Sequence, residues 1–190
     1  NNLNEPSAKR ILRAKFVIDA SGRQSLFARA LGIKRQVIDK LIAYWATLPD
    51  QCSNTMSTIS ASPNGWWYSA VVPNQKRVVA FHTDADLIAK NALKSIPSFY
   101  NLSQQNEPIA LILKDKMSTL ALHGSVAANS TILTQMAGQQ WVAIGDAALS
   151  FDPLSSQGMF NAMANALHAP WVGQTFGCQP AQIAVLLRID

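Results

Sequence analysis

Charge is scarce in this sequence. Asp, Glu, Lys and Arg make up 14% of the 190 residues, where a globular chain carries about a quarter. With 48% hydrophobic residues, the chain is too apolar and too weakly charged to remain disordered. It is long enough to bury a core without staples, and part of its surface is expected to be covered by a missing domain, a partner or a cofactor. The net charge of +5 comes from scattered Lys and Arg, with Lys34-Arg35 as the densest cluster, so no nucleic-acid partner is expected. Cysteine is nearly absent. Cys52 and Cys178 stand far apart without CxxC or Cys/His spacing, which argues against a disulfide framework and a structural zinc site. The three histidines, His82, His123 and His168, are isolated and read as surface or satisfied polar residues rather than ligands. Ser155-Ser156 lacks a G-x-S-x-G elbow, so a serine hydrolase is disfavoured. No apolar run approaches the roughly 18 residues of a membrane span. Residues 1–10 are polar with no signal-peptide h-region, so a cytoplasmic protein with reduced thiols is expected.

What is present reads as alternating layers. Residues 11–19 end in the apolar run Phe16-Val17-Ile18, as in a strand buried on both faces. A tight turn at 20–23 and a helix over 24–31 follow, with Gly32 as its stop. Residues 37–48 are apolar and read as extended, and 55–60 alternate. Residues 66–72 and 77–83 flank the polar stretch 73–76, which predicts an antiparallel hairpin. The pattern predicts a helix over 84–96, with Asp84 and Asp86 as cap candidates, and two short helices within 98–113. Strands are expected at 117–123, 131–136 and 140–144, a loop at 147–157, a helix over 158–171, and the start of another helix at 181–187.

The most informative stretch is residues 141–164, WVAIGDAALSFDPLSSQGMFNAMA. A hydrophobic strand ends in Gly145-Asp146. Gly145 permits close approach to the backbone, and Asp146 stands where ligands of open α/β sheets bind, outside the carboxyl edge of the strands. Ser155-Ser156-Gln157-Gly158 presents backbone N–H groups at a helix N-terminus, which favours negative charge in front of it. The second motif is residues 17–23, VIDASGR: a buried strand, Asp19, then a small-Ser-Gly turn. By itself it also fits an ordinary strand-to-helix turn.

Together the two segments resemble one family. VIDASGR is similar to the (V/I)-D-A-(T/S)-G-R segment of FAD-dependent oxidoreductases with the p-hydroxybenzoate hydroxylase type of fold. IGDAALSFDPLSSQGMFNAM resembles that family's Gly-Asp-Ala-Ala motif with its following Pro and helix start. The resemblance implies that Asp146 hydrogen-bonds the ribityl chain, that Gly145 lies against the cofactor, and that Pro153 with Ser155, Ser156, Gln157, Gly158 and Met159 faces the isoalloxazine ring. It implies that Asp19, Gly22 and Arg23 lie near the pyrophosphate and adenosine end. The family's first motif, G-x-G-x-x-G, is absent, so the N-terminal βαβ unit that cradles the pyrophosphate is expected outside this sequence. Trp66-Trp67-Tyr68 with Pro73 resembles the substrate-facing strand of flavin-dependent halogenases and related monooxygenases, without their W-x-W-x-I-P order. The Ser-Ser-Gln-Gly loop is closer to that of flavoproteins acting on side chains of partner enzymes. Adjacent strand residues point to opposite faces, so one of Trp66 and Trp67 can line a pocket while the other packs inside.

The expected fold is α/β: part of a three-layer FAD domain from residues 11–36 and 135–190, interrupted by a smaller antiparallel-sheet substrate domain over 37–134. The expected function is FAD-dependent oxidation. In the reading preferred here it is monooxygenation of an organic or side-chain substrate, with NAD(P)H or a flavin reductase as electron source. Alternatives are a halogenase or prenyl-lipid reductase of the same fold, and a non-catalytic fragment or interaction module.

Overall fold

The computed structural model describes residues 13–51, 55–89, 92–175 and 183–187. In chain order the elements are β1 (Phe16–Ala20), α1 (Leu26–Ala30), β2 (Arg35–Val37), β3 (Leu41–Pro49), β4 (Thr58–Ser62), β5 (Gly65–Val72), β6 (Lys76–Asp84), α2 (Ile96–Ser103), α3 (Glu107–Leu113), β7 (Ala121–Ala127), β8 (Thr131–Leu133), β9 (Ala137–Gly138), β10 (Trp141–Ala143), β11 (Leu149–Ser150), α4 (Gly158–Thr175) and β12 (Ile183–Leu187). The chain is mixed α/β and divides into two compact units, Asn1–Gln36 with Thr131–Asp190, and Val37–Ser130. The return to the first unit falls at 131 rather than at the expected 135, because β8 pairs with β11 and β2. No described helix is long and apolar enough to cross a membrane.

The first unit is built on a sheet in the order β12-β1-β10-β9, with β1 parallel to both of its neighbours. The uninterrupted apolar run of β1 is explained by cover on both faces. Phe16 and Ile18 pack with Ala169 of α4, while Val17 rests on a cluster holding Ala28, Leu133 and Trp141. Residues 183–187 form a strand rather than the expected helix. Ile183 and Val185 are β-branched, and β1 offers a free parallel edge, Phe16 opposite Ile183 through Ala20 opposite Leu187. Residues 11, 12, 181 and 182 lie outside the described residues.

The second unit is a five-stranded antiparallel sheet in the order β4-β5-β6-β3-β7. The β5–β6 hairpin forms as the pattern predicts, with a loop shortened to three residues whose Asn74 and Gln75 are left-handed. One face carries the core: Tyr44, Ala46 and Leu48 of β3, Trp67 of β5, and Val79 and Phe81 of β6 pack on Phe99, Ile109 and Leu113 of α2 and α3. Both helices start where their sequence directs. Ser95 and Asn106 cap them by accepting from the N–H of Ser98 and Ile109, and Pro97 and Pro108 occupy the first turn, where a proline's missing N–H is harmless.

That start also explains the failure of the helix expected over 84–96. Asp84 ends β6, and the described residues after it form turns up to Ser95. The stretch is pinned instead to the start of β3: Ala85 N–H donates to Lys40 O at 3.0 Å and Lys40 pairs with Asp86 at 2.7 Å. Asp86 is therefore an ion-pair partner, not a helix cap. Lys40's pKa is raised and that of Asp86 lowered, each chiefly by their shared hydrogen bond. Residues 117–123 likewise split into a 3-10 turn, Met117–Thr119, and the start of β7.

The two adjacent tryptophans separate cleanly. Trp67 is fully buried between Phe81 and Phe99, whereas Trp66 lies on the other face. Replacing Trp67 by Ala is expected to destabilise the protein by about 3–5 kcal/mol and Trp66 by Ala by less than half of that, as read by denaturant unfolding.

Candidate functional site

The site grows from the parallel pair β1 and β10, in register as Val17 with Trp141 and Asp19 with Ala143. Ile144 N–H donates to Asp19 O at 3.0 Å and extends the ladder to the strand ends. Two turns therefore leave the carboxyl edge of the sheet side by side, where open α/β folds bind ligands.

The first turn is organised by Asp19, which is completely buried. Its Oδ1 accepts from Ser21 N–H at 3.1 Å and Ser21 Oγ at 2.5 Å, and its Oδ2 from the N–H groups of Phe27 at 2.9 Å and Ala28 at 3.2 Å. Ser21 Oγ also accepts from Leu26 N–H at 2.7 Å. The N–H groups that open α1, without partners inside the helix, are thus met by the motif's own Asp and Ser. This arrangement shortens the helix expected over 24–31. Gly22–Gln24 is a 3-10 turn, Ser25 turns left-handed, and α1 starts at Leu26. Asp19 was expected beside the cofactor; its carboxylate is instead enclosed and holds the turn.

The second turn is Gly145–Ala147, a 3-10 turn after β10. Gly145 is required twice over. Its φ is +54°, and a Cβ there would stand 3.2 Å from Ala162 Cβ on α4, closer than ordinary contact. Its N–H donates to Asn165 Oδ1 at 3.2 Å, tying the turn to α4. The next side chain, Asp146, is half-buried and makes no hydrogen bond among the described residues.

Between these turns, β12 and α4 lies a cavity of about 660 Å³, within the size range of small-molecule sites. Its wall includes Gly22, Gly145, Asp146, Gly158 and Met159, together with the apolar Ala162, Met163 and Val185. Five of the eleven residues expected at the cofactor therefore share one wall. Asp19, Arg23, Pro153, Ser155, Ser156 and Gln157 are not part of it. Pro153–Ser155 forms an exposed 3-10 turn, capped by Asp152 Oδ1 accepting from Leu154 N–H at 2.8 Å, and Ser156 is left-handed before α4 begins. Beyond the wall α4 stays apolar outward: Phe160, Leu167 and Trp171 are each more than 60% exposed.

Arg35 was not singled out by any motif, yet its guanidinium ties this region together. Nη2 reaches Ser25 Oγ at 2.6 Å and the carbonyl oxygens of Asp146 at 2.6 Å and Ala147 at 2.9 Å, and Nη1 donates to Thr131 Oγ1. Burial lowers the Arg35 pKa, as does the neighbouring charge of Arg23; the Asp146 and Asp19 carboxylates oppose this. In the sequence Arg35 was visible only as half of the Lys34-Arg35 cluster.

The expected substrate residues lie in the second unit and part ways there. Trp67 is in the core and out of reach of any ligand. Trp66 and Tyr68 share the opposite face of the sheet. Trp66 stacks on the buried His82 with ring centroids 3.7 Å apart and planes 3° from parallel, and on the same sheet Trp45 stacks on His123 at 4.2 Å.

Removing half of the Asp19 acceptors tests the capping role. Asp19→Asn, which cannot accept on both ends, is expected to lose about 2–4 kcal/mol of stability in chemical denaturation.

No protein-family model matches the chain. In sequence it is 32% identical over 156 residues to LodB of Marinomonas mediterranea, named as an FAD-dependent oxidoreductase, over 81% of this chain and 42% of LodB. In structure it aligns with the flavin-dependent brominase Bmp2 at a TM-score of 0.72 and 22% identity, covering 92% of this chain and 46% of Bmp2. It aligns with the peptidyl tryptophan dihydroxylase QhpG at a TM-score of 0.71 and 20% identity, covering 92% of this chain and 40% of QhpG. The chain thus spans less than half the length of each. The chain is thus related in sequence to an FAD-dependent oxidoreductase and shares the fold of Bmp2 and QhpG.

Proposed function

We propose that the full-length protein is an FAD-dependent monooxygenase acting on an aromatic side chain or a similar organic substrate, and that the first unit supplies part of its FAD site. The observation that carries this reading is the Asp146 carboxylate. It lines an otherwise largely apolar cavity at the carboxyl edge of β1 and β10 and has no hydrogen-bond partner of its own among the described residues. A carboxylate with no protein donor takes its hydrogen bonds from water or from a ligand, and the hydroxyls of a bound cofactor can supply them.

The residues present fit the cofactor. Gly22, left-handed with nothing within 4 Å of where its Cβ would stand, leaves open space at the wall. Asp146 would accept from the ribityl hydroxyls. The N-terminus of α4, opening at Gly158, would favour the negative charge of reduced flavin. Arg23, beside Gly22 in the chain, would serve the pyrophosphate. Met159, Ala162 and Met163 would exclude water from the ring. The bound flavin supplies the electron transfer to oxygen; the protein holds, orients and shields it.

The second unit would present the substrate through its open face. Trp66 and Tyr68, backed by the Trp66–His82 stack, offer flat aromatic surface of the kind that suits an aromatic substrate, and QhpG is by name a peptidyl tryptophan dihydroxylase. Electrons would come from NAD(P)H or a flavin reductase, in the cytoplasm. Halogenation is the second reading, favoured by the likeness to Bmp2 and opposed by the absence of the W-x-W-x-I-P order around Trp66.

The test uses the full-length protein with FAD, NAD(P)H, oxygen and a tryptophan-containing peptide. Monooxygenation predicts oxygen uptake and a product heavier by one oxygen atom. A halide-dependent product would transfer the reading to halogenation, flavin reduction without oxygen uptake to a reductase, and failure to bind FAD to a non-catalytic module. Asp146→Ala is expected to weaken FAD binding by at least about tenfold, measured by quenching of flavin fluorescence.

A further inference from the structure

We propose that Arg35 is a positioning residue of the cofactor site, holding the Gly145–Ala147 turn so that the Asp146 carboxylate faces the cavity; this rests on the FAD reading above. The turn is closed by its own 3-10 bonds and tied to α4 at Gly145 N–H, which leaves its central carbonyls to be held from outside. The Asp146 side chain makes no hydrogen bond among the described residues, so its direction is set by its backbone. That backbone is gripped at the carbonyls of Asp146 and Ala147, both bonded by Nη2 of one guanidinium.

The grip is anchored on three other elements. Arg35 stands on β2, and its Nη1 donates to Thr131 Oγ1 of β8, whose hydroxyl pairs with Ser150 Oγ of β11 at 2.6 Å. Its Nη2 also meets Ser25 Oγ, which donates in turn to Ala147 O at 2.7 Å. The planar fork can engage these acceptors together, and charge assistance strengthens each bond. A lysine, with a shorter stem and a single ammonium, cannot reach the three oxygens at Nη2 and Thr131 Oγ1 together.

Two costs are concentrated here. Ser25 is fully buried at φ +45°, a left-handed conformation unfavourable to a residue with a Cβ. The guanidinium is desolvated beside the charge of Arg23, which lowers its pKa. Such strain and desolvation persist where the surroundings enforce them, and they gather at functional sites. The structure brings both to the one cluster that aims Asp146.

In the full-length holoprotein, Arg35→Lys is expected to weaken FAD binding about tenfold and to alter the visible circular dichroism of the bound flavin. Because Arg35 acts through Asp146, its effect should largely vanish in an Asp146→Asn background. Ser25→Gly guards against misfolding: glycine accepts the left-handed backbone, so folding should survive while FAD binding weakens in the same direction. Two results would overturn the proposal. One is a folded Arg35→Lys or Ser25→Gly protein with unchanged FAD affinity and flavin spectrum. The other is a loss that adds in full to that of Asp146→Asn. A wild-type protein that binds no FAD would instead bring down the FAD reading first, and the role of Arg35 with it.

Discussion

The parallel pairing of β1 with β10 is the constraint on which the candidate site depends. The two strands are far apart in sequence, separated by the whole second unit, and nothing local brings them together. Once Asp19 stands opposite Ala143, both motifs leave the sheet at the same edge. Each turn then completes a different task. The first satisfies the start of α1 with the Asp19 carboxylate and Ser21 hydroxyl; the second leaves the Asp146 carboxylate open to the cavity. Two acidic residues, each placed after a buried strand, thus take opposite roles. What separates them is the supply of donors: four reach the Asp19 carboxylate, and no hydrogen-bond donor among the described residues reaches the Asp146 carboxylate.

The second unit packs its core on one face of the sheet and leaves a row of aromatic side chains on the other. Trp67, Phe81 and Phe99 fill the buried side, and such large aromatic burial dominates a core of this size. At one end of the central β3–β6 pair Arg77 Nε donates to Asp50 at 2.5 Å, with both side chains almost fully buried. A buried ion pair of this kind contributes little net stability, and breaking it by removing one partner is costly. It therefore penalises any slip of β6 along β3 that would part the two charges. The opposite face carries Trp66, Tyr68 and Trp45, with two histidines stacked flat on the tryptophans. A sheet held in register from behind can offer that face without rearranging.

Much of this was legible in the residues. Phe16-Val17-Ile18 announced a strand covered on both sides, Trp141 to Asp146 a strand running into a glycine turn, and the stretch around Pro73-Asn74 a hairpin. The alternation at Trp66-Trp67 implies opposite faces for the two tryptophans, and they lie on opposite faces. Other elements were decided by partners the sequence does not display. The helical spacing of 84–96 gave way to the Lys40–Asp86 ion pair and to the cap and proline that start α2. Residues 183–187 carry an apolar pattern that fits a buried helix or strand, and the free edge of β1 settled it. At the site, Gly145 and Asp146 stood out because a motif surrounds them. Arg35 did not, because its acceptors are backbone carbonyls and hydroxyls 96 to 112 residues away or 10 residues back, which no local pattern can show. Asp19 was legible as important but not in kind, since a capping carboxylate and a ligand-binding one look the same in sequence.

The measurement that bears most directly on this site is hydrogen exchange of the full-length protein with and without FAD. The cavity at the carboxyl edge of β1 and β10 predicts slowed exchange on FAD addition in the peptides spanning Gly22, Gly145–Ala147 and Gly158–Met163, with the core strands β3 and β6 unchanged. Protection confined to the second unit, or FAD binding that leaves those turns exchanging as before, would contradict a cofactor site at this edge.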